Sequence, residues 1–255
     1  MTVLKHLGKC LLLFISFTLS NPGEVLESYN EVHDRKYYEQ RGDILWEVPI
    51  HKKMIALTFD DGPHPKITPQ ILDLLNQYEA KATFFVVGNR IDKNTDIILR
   101  EINEGHEIGN HTFSHAMFNR NVSKQKISSE IEMTARKLQE AAHVSGGWFR
   151  PPGGYYNDRV VAAAKEQGYK VVMWSWHQDT EDWKRPGVKK IAQKVINNAR
   201  NGDIVLMHDF VHNSNQTIEA LKIILPELAA QGYQFVTISQ LLEAKHIEEM
   251  MNEMK

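Results

Sequence analysis

Two adjacent aspartates follow a short apolar run in the segment ALTFDDGPHP, residues 56–65. Side chains of neighbouring strand residues point to opposite faces, so Asp60 and Asp61 could serve different purposes a short distance apart. A carboxylate can act in proton transfer or bind a metal ion. Asp, Gly and Pro also favour surface turns, so this segment taken alone is equally consistent with a turn.

The segment HTFSH places His111 and His115 four residues apart. On one turn of helix, this spacing puts both imidazoles on the same face, where they could chelate one ion. Two histidines at this spacing are more often surface or capping residues when nothing else supports a site. With Asp61 as a third ligand, they suit zinc or a similar transition metal with open positions. A bound ion acidifies its water, and Asp60 could then take the proton.

The composition narrows the classes of protein to consider. The chain has 255 residues, of which 42% are apolar and 24% charged, as in ordinary globular proteins. Its net charge of −2 gives no reason to expect nucleic acid or an anionic membrane as a partner. Cys10 is the single cysteine, which excludes an intramolecular disulfide and a cysteine-built zinc site. Any metal must therefore be held by histidine and carboxylate groups.

The first 20 residues have the pattern of an export signal or a short apolar anchor. Lys5 and Lys9 precede the apolar run LLLFISFTLS, and the segment NPGE ends it. The run is shorter than the roughly 20 apolar residues that span a bilayer, although residues 10–19 could tether the chain to a membrane. A buried N-terminal helix is the alternative. Residues 21–52 are predicted to form a linker, or a poorly packed helix over 24–43, followed by an N-terminal strand.

Strand-like and helix-like segments alternate from residue 53 to residue 244. About seven such units, without a Gly-x-Gly-x-x-Gly loop, predict an α/β fold, specifically a distorted or incomplete (β/α) barrel of about seven parallel strands. Residues 245–255 are predicted to form a C-terminal tail. Active sites of barrels lie at the carboxyl ends of the strands. The candidate residues fall at such ends, which predicts that they form one site.

From about Lys53 to Ala244 the sequence resembles the polysaccharide deacetylases that share the NodB homology domain, carbohydrate esterase family 4. The resemblance rests on five motifs in the family's order and spacing, which are TFDDGP, HTFSH, RPPGG, DTEDW and LMHD. It implies Asp60 as the catalytic base and His208 as the general acid. It also implies a metal triad and two supporting residues, namely Asp61, His111 and His115 for the metal, Arg150 beside the base and Asp179 beside the acid.

Physical chemistry is consistent with these implied roles. Histidine can donate a proton to a leaving amine near neutral pH, and an aspartate behind it fixes the tautomer and favours the charged form. An arginine beside Asp60 keeps that carboxylate ionised. The resemblance further implies that Leu206 and Trp183 form the apolar walls of an acetyl pocket. Taken singly, Arg150 would be read as a surface ion pair and His208 as a buried structural histidine.

Gly153 departs from the family pattern, which usually has tyrosine at this position. The family's oxyanion contact there is a backbone N–H, which glycine can still donate. The wall that the tyrosine side chain supplies is absent, and Tyr155 could replace it or stack on a sugar. Substrate fit and rate, more than the type of reaction, are affected by this departure.

The sequence thus predicts a secreted or surface-held monomer that removes N-acetyl groups from a cell-wall polysaccharide, releasing acetate. One divalent transition ion, preferably zinc, with cobalt, nickel or manganese as alternatives, is the expected cofactor. Peptidoglycan N-acetylglucosamine is the preferred substrate, followed by N-acetylmuramic acid and chitin fragments. The rival hypotheses are a non-catalytic glycan-binding domain on the same fold and a related hydrolase of small cyclic amides.

Overall fold

The computed structural model describes residues 33–254 of the chain. Eight strands are present in this range, in the order β1 Ile44–Leu45, β2 Met54–Asp60, β3 Ala82–Val86, β4 Glu107–Asn110, β5 Gly147–Phe149, β6 Tyr169–Val172, β7 Ile204–His208 and β8 Gln234–Phe235. The helices of the same range are α1 Arg35–Arg41, α2 Thr68–Gln77, α3 Thr95–Asn103, α4 Lys124–Ala142, α5 Asp158–Lys165, α6 Val188–Asn198, α7 Gln216–Ala230 and α8 Ile238–Glu253.

Seven of the strands form a continuous parallel sheet in the order β1-β6-β5-β4-β3-β2-β7, and β8 pairs in parallel with β2. The sheet curls into an incomplete barrel, which confirms the predicted fold class. The gap between the end strands β1 and β7 is bridged just beyond β1, where Glu47 and Asp203 form an antiparallel contact. Because all the strands run in the same direction, their carboxyl ends meet at one rim.

Strand β2 lies between β3 and the end strand β7 and is buried on both faces. Ile55, Leu57 and Phe59 point outward into the largest apolar cluster, where they meet residues of α2, α6 and α7. The alternate residue Ala56 points inward to a smaller cluster, which also contains Ile238 from α8. This alternation follows from the two-residue period of strands. Asp60 is the last residue of β2 and therefore lies at the rim.

The segment before the sheet is more ordered than a linker. Asp34 caps α1 by accepting the N–H of Tyr37, and Tyr38 is 0% exposed. Strand β1 then pairs with β6. Residues 24–43 therefore include a packed helix in the part that is described, which corrects the prediction of a linker or loose helix. The predicted export signal and the tether at residues 10–19 lie outside the described residues.

The C-terminal region continues the fold. Thr237 begins α8 with a capping box in which its side chain accepts the N–H of Gln240. The helix runs through residue 244 without a break, and Glu248 accepts the backbone N–H groups of His51 and Lys52. The predicted boundary between domain and tail thus falls inside one helix. No helix among residues 33–254 has both the length and the apolar character needed to cross a membrane.

Candidate active site

A cleft of about 340 Å³ opens at the carboxyl rim of the sheet. Nine of the residues predicted from the sequence line it, and these are Asp60, Asp61, His111, His115, Gly153, Asp179, Trp183, Leu206 and His208. Met117, Gly154 and Trp174 complete the lining. Strands β2, β4, β5 and β7 each end beside this cleft, as the barrel architecture requires. The residues scattered over about 150 positions of the sequence therefore do form one site.

Asp60 is held by a fully buried arginine. The Nη1 of Arg150 donates to Asp60 Oδ1 over 2.7 Å and to the hydroxyl of Thr58 over 2.7 Å. Its other guanidinium nitrogens donate to the carbonyls of Val172 and Met173. Burial lowers the pKa of Arg150, and the charge of Asp60 opposes that shift. The ion pair therefore presents Asp60 as an oriented carboxylate, as predicted from the sequence.

Asp61, His111 and His115 bring their donor atoms within 4.8 Å of one another. Asp61 Oδ1 lies 3.4 Å from His111 Nε2 and 2.9 Å from His115 Nε2. Burial would raise the pKa of Asp61, but these two imidazoles outweigh it, and the pKa is lowered. The Asp61 carboxylate is therefore anionic and lies where two imidazole nitrogens converge.

The surroundings of the triad fit a metal ion. His111 Nδ1 is 2.7 Å from the carbonyl oxygen of Arg150, so this nitrogen carries the proton and Nε2 presents its lone pair to Asp61. Asp61 Oδ1 is buried and has no hydrogen-bond partner among the described residues, so it is available to an ion. Histidine nitrogen and carboxylate oxygen are the ligand types that zinc and related ions prefer.

The two histidines do not lie on a helix. His111 follows β4, and the chain from 111 to 120 is irregular, with left-handed φ values of 67° at Thr112 and 57° at His115. The imidazole rings lie 5.2 Å apart across this loop. The predicted helical turn is therefore wrong, because a folded loop brings positions i and i+4 together here as a helix would.

Asp182, rather than Asp179, contacts His208. Asp182 Oδ1 accepts from His208 Nδ1 over 2.6 Å, and Oδ2 accepts the backbone N–H of His208 over 2.8 Å. Asp179 instead lines the cleft and accepts the N–H of Glu181. The prediction that Asp179 orients the histidine is therefore wrong. The motif DTEDW offers two aspartates after the same strand, and spacing alone did not distinguish them.

One wall of the cleft is apolar, and Met117 lies in it beside Gly153. Leu206 and Trp183 line it, as predicted, and Trp174 joins them. Gly153 has a left-handed φ of 66°, and a Cβ built on it would overlap the Cε of Met117, a residue that is 60% exposed. The methionine thus occupies space that a side chain at position 153 would use. Sequence reasoning missed Met117 because no motif contains it.

Tyr155 does not replace the missing tyrosine wall. Its ring packs against the apolar cluster that contains Tyr38 and Phe149, and its hydroxyl is buried without a hydrogen-bond partner. Tyr155 is also absent from the cleft lining. Tyr155 is therefore not part of the cleft wall, because its ring packs against this cluster instead, and a contact between Tyr155 and a sugar stays a prediction.

A second group of histidine and carboxylate side chains lies between β1 and β7, where Glu47, His177 and Asp203 approach one another. His177 Nε2 is 2.9 Å from Asp203 Oδ1, and Asp203 also accepts from Gln178 Nε2 and from the N–H of Arg200. These hydrogen bonds satisfy the Asp203 carboxylate within the protein. The group is explained as a buried polar link across the open side of the barrel.

An incomplete parallel barrel with an aspartate–arginine pair, an Asp-His-His triad and an aspartate-bound histidine at one rim defines a class of hydrolase. A family model described as "Polysaccharide deacetylase" matches residues 47–172. The chain belongs to the polysaccharide deacetylase family, an enzyme family that includes peptidoglycan N-acetylglucosamine deacetylases, and this confirms the resemblance seen in the sequence.

Similar proteins include both deacetylases and a pseudoenzyme. The chain is 51% identical over 212 residues to a peptidoglycan-N-acetylglucosamine deacetylase of Bacillus cereus, a match that covers 83% of this chain and 99% of the relative. A solved peptidoglycan N-acetylglucosamine deacetylase is 34% identical, with a TM-score of 0.75 over 81% of this chain and 95% of the other. A pseudoenzyme of carbohydrate esterase family 4 from Bacillus anthracis is 31% identical, with a TM-score of 0.72 over 79% of this chain and 69% of the other.

Proposed function

We propose that this protein removes the acetyl group from N-acetylglucosamine residues of peptidoglycan and that it requires one divalent transition ion. The observation that carries the proposal is the arrangement of Asp60 and His208, which are register partners on adjacent strands β2 and β7 beside the Asp61–His111–His115 triad. A base and an acid that both lie beside a metal triad suit the hydrolysis of an amide.

The residues of the chain divide the reaction between them. Asp60, kept as an oriented carboxylate by Arg150, accepts a proton from the attacking water. His208, whose Nδ1 is engaged by Asp182, donates a proton from Nε2 to the departing amine. The backbone N–H of Gly153 is the proposed donor to the oxygen that becomes negatively charged.

Asp61, His111 and His115 would hold the ion, which supplies Lewis acidity when bound. Zinc is preferred for this ligand set, with cobalt, nickel and manganese as alternatives. Leu206 and Trp183 offer an apolar surface for the methyl group of the acetyl moiety. Trp183 is 53% exposed and could also contact the sugar.

The substrate assignment rests on the relatives. Two of the three described above are named for peptidoglycan N-acetylglucosamine. N-acetylmuramic acid and chitin fragments remain the alternative substrates. Such a substrate implies a protein that faces the cell wall, which agrees with the export-like pattern of residues 1–20.

A non-catalytic glycan-binding role is the rival function, because one structural relative is a pseudoenzyme. The complete set of base, acid and triad residues in this cleft favours catalysis. A hydrolase of small cyclic amides is disfavoured, since two of the relatives described above are named for a polymer.

Acetate release from defined glycans tests the proposal. Purified protein is loaded with zinc and incubated with peptidoglycan fragments, with the same fragments lacking N-acetylglucosamine acetylation, and with chitooligosaccharides. We expect acetate from the N-acetylglucosamine of peptidoglycan, loss of activity with a chelator and recovery on adding metal. His111→Ala should lose both metal and activity while circular dichroism stays unchanged. Zinc-loaded protein that binds glycans but releases no acetate would establish the non-catalytic alternative.

A further inference from the structure

The loop that carries both histidines of the triad is attached to helix α4 through one buried carboxylate. Glu130 on α4 is 2% exposed, and its Oε2 accepts the backbone N–H groups of Phe113 over 3.1 Å and Ser114 over 2.9 Å. The hydroxyl of Ser114 also lies 3.0 Å from both Glu130 oxygens. Glu130 belongs to none of the five family motifs.

The backbone that Glu130 holds is strained on both sides. Thr112 and His115 have left-handed φ values of 67° and 57°. That region is unfavourable for residues with a Cβ, and especially for a β-branched residue such as threonine. Such conformations persist where surrounding contacts determine them. The two N–H groups bound by Glu130 belong to residues 113 and 114, which lie between the two strained positions.

Other contacts fix the rest of the loop to the same helix and to the neighbouring turn. Asn110 donates to the carbonyl of Ile131 on α4 and accepts the N–H of Thr112. The N–H groups of Gly88 and Asn89 donate to the carbonyls of Thr112 and Phe113. Glu130, which also accepts from Lys126 Nζ over 2.6 Å, is therefore the charged member of a set of contacts that reaches residues 110–114.

We propose that Glu130 is a positioning residue for the metal site, acting through the 113–114 backbone to hold His115 against Asp61 and His111. The inference rests on the proposed function, since it presumes that the triad binds an ion. Without the carboxylate, the loop can relax its left-handed residues and His115 Nε2 can move away from Asp61. Residues that orient metal ligands typically change metal affinity by 10–100-fold when they are replaced.

Glu130→Gln is the direct test, because it keeps the size of the side chain but removes the charge that strengthens the two backbone bonds to Oε2. It also places an amide donor at the position of Oε1, which accepts from Lys126 Nζ over 2.6 Å in the wild type. The readout is the zinc dissociation constant, measured by competition with a chromophoric chelator and independently of activity. We expect the affinity to fall about 10–100-fold. Glu132→Gln is the matched control, since Glu132 lies on the same helix with its side chain 61% exposed and pairs with Arg136.

Thermal unfolding of the metal-free proteins separates positioning from general stability. We expect metal-free Glu130→Gln to remain fully folded at the assay temperature, with a smaller rise of Tm on adding zinc than the wild type shows. If Glu130→Gln does not fold, Ser114→Ala removes one donor to Glu130 and should weaken zinc binding in the same direction.

The outcomes distinguish this inference from the proposed function. A wild type that binds no zinc at the triad would overturn the proposed metal site. A wild type that binds zinc, together with a folded Glu130→Gln of equal affinity, would overturn the role of Glu130 alone. An affinity loss that only follows partial unfolding of the metal-free variant would also overturn it, in favour of a structural role. Where Ser114→Ala is used instead, an unchanged zinc affinity, or an affinity loss that only follows partial unfolding, would likewise overturn the role of Glu130.

Discussion

Asp182 and His208 form a doubly hydrogen-bonded pair in which one carboxylate engages both the ring and the backbone of the histidine. Thr217 donates its hydroxyl to the same carboxylate over 2.7 Å. Burial alone would lower the pKa of His208, but Asp182, with the charges of Asp60 and Asp61, raises it to about 9. A histidine held in this way stays protonated at neutral pH and can act as an acid.

The first prediction concerns the alkaline side of the pH profile. Activity should decline as pH rises through the pKa of His208, because the acid then loses its proton. Asp182→Asn should move the alkaline limb of kcat/KM to lower pH, toward the ordinary histidine pKa of about 6.5. A metal ion bound by Asp61 neutralises part of the Asp61 charge, which is one of the charges that raise the pKa of His208. The alkaline limb of the metal-loaded enzyme is therefore expected at or below about pH 9.

Asp179→Asn is the matched control for Asp182→Asn, since Asp179 lines the cleft without bonding to His208. Its alkaline limb should stay where the wild-type limb lies. Movement of the limb in Asp179→Asn but not in Asp182→Asn would contradict the assignment. Zinc content is measured in both variants before their profiles are compared.

The second prediction separates the two neighbouring aspartates. Asp60→Asn should lower kcat by roughly 10²–10⁴-fold, the contribution of a general base, while zinc remains bound. Asp61→Asn should lower zinc affinity instead. The measurements are single-substrate kinetics and metal stoichiometry on both proteins. Loss of zinc in Asp60→Asn would show that Asp60 is a metal ligand and would contradict its assignment as the base.

The third prediction concerns the wall formed by Met117 at Gly153. Gly153→Ala places a Cβ at a left-handed φ, which costs roughly 1–2 kcal/mol, and directs it into the Met117 side chain. We expect a lower kcat/KM in Gly153→Ala and a partial recovery in the double variant with Met117→Ala. A double-mutant cycle on kcat/KM measures the coupling. Strictly additive effects would show that the two positions do not share this space.

The fourth prediction concerns stability. Glu101 on α3 is 0% exposed, its carboxylate oxygens have no hydrogen-bond partner, and burial raises its pKa well above the usual value. The folded protein therefore keeps this proton when the unfolded chain releases it. Stability should fall as pH rises above the unfolded pKa, by up to about 1.4 kcal/mol per pH unit from this group.

Glu101→Gln cannot ionise at this position, so it lacks this loss of stability. The free energy of unfolding of Glu101→Gln minus that of the wild type should therefore become more positive from pH 5.5 to pH 8, by about one to a few kcal/mol. Asp209 has a pKa raised by burial to about 7 and leaves a residual slope of the same sign below that pH. Urea unfolding of the metal-free proteins measures the difference, with Glu132→Gln as an exposed control. Parallel pH dependences of wild type and Glu101→Gln would refute the effect.

The strands and helices were largely predictable because their signals are local. The apolar run before Asp60 gives a buried strand, and Ser123 caps α4 by accepting the N–H of Lys126, as expected for its position. The rule that barrel sites lie at the carboxyl ends of the strands then predicts that Asp60, His111 and His208 lie close together. Periodicity and strand polarity were sufficient for these features.

The details that the sequence did not reveal depend on contacts between distant positions. The conformation of the loop at His115 depends on Glu130, fifteen residues further along, and no period in the sequence joins them. Asp179 and Asp182 follow the same strand, and only the turn between them decides which one reaches His208. The inward ring of Tyr155 likewise follows from the backbone after Gly154.

The pairing of β1 with β6 has a practical consequence for producing this protein. Residues 33–47 cover an edge of the sheet and bring Tyr38 and Trp46 onto Tyr156, each at a ring distance of 5.4 Å. A fragment that starts at residue 47, where the family match begins, would leave the edge of β6 open to other chains and invite aggregation. Soluble expression should therefore require a start point upstream of α1.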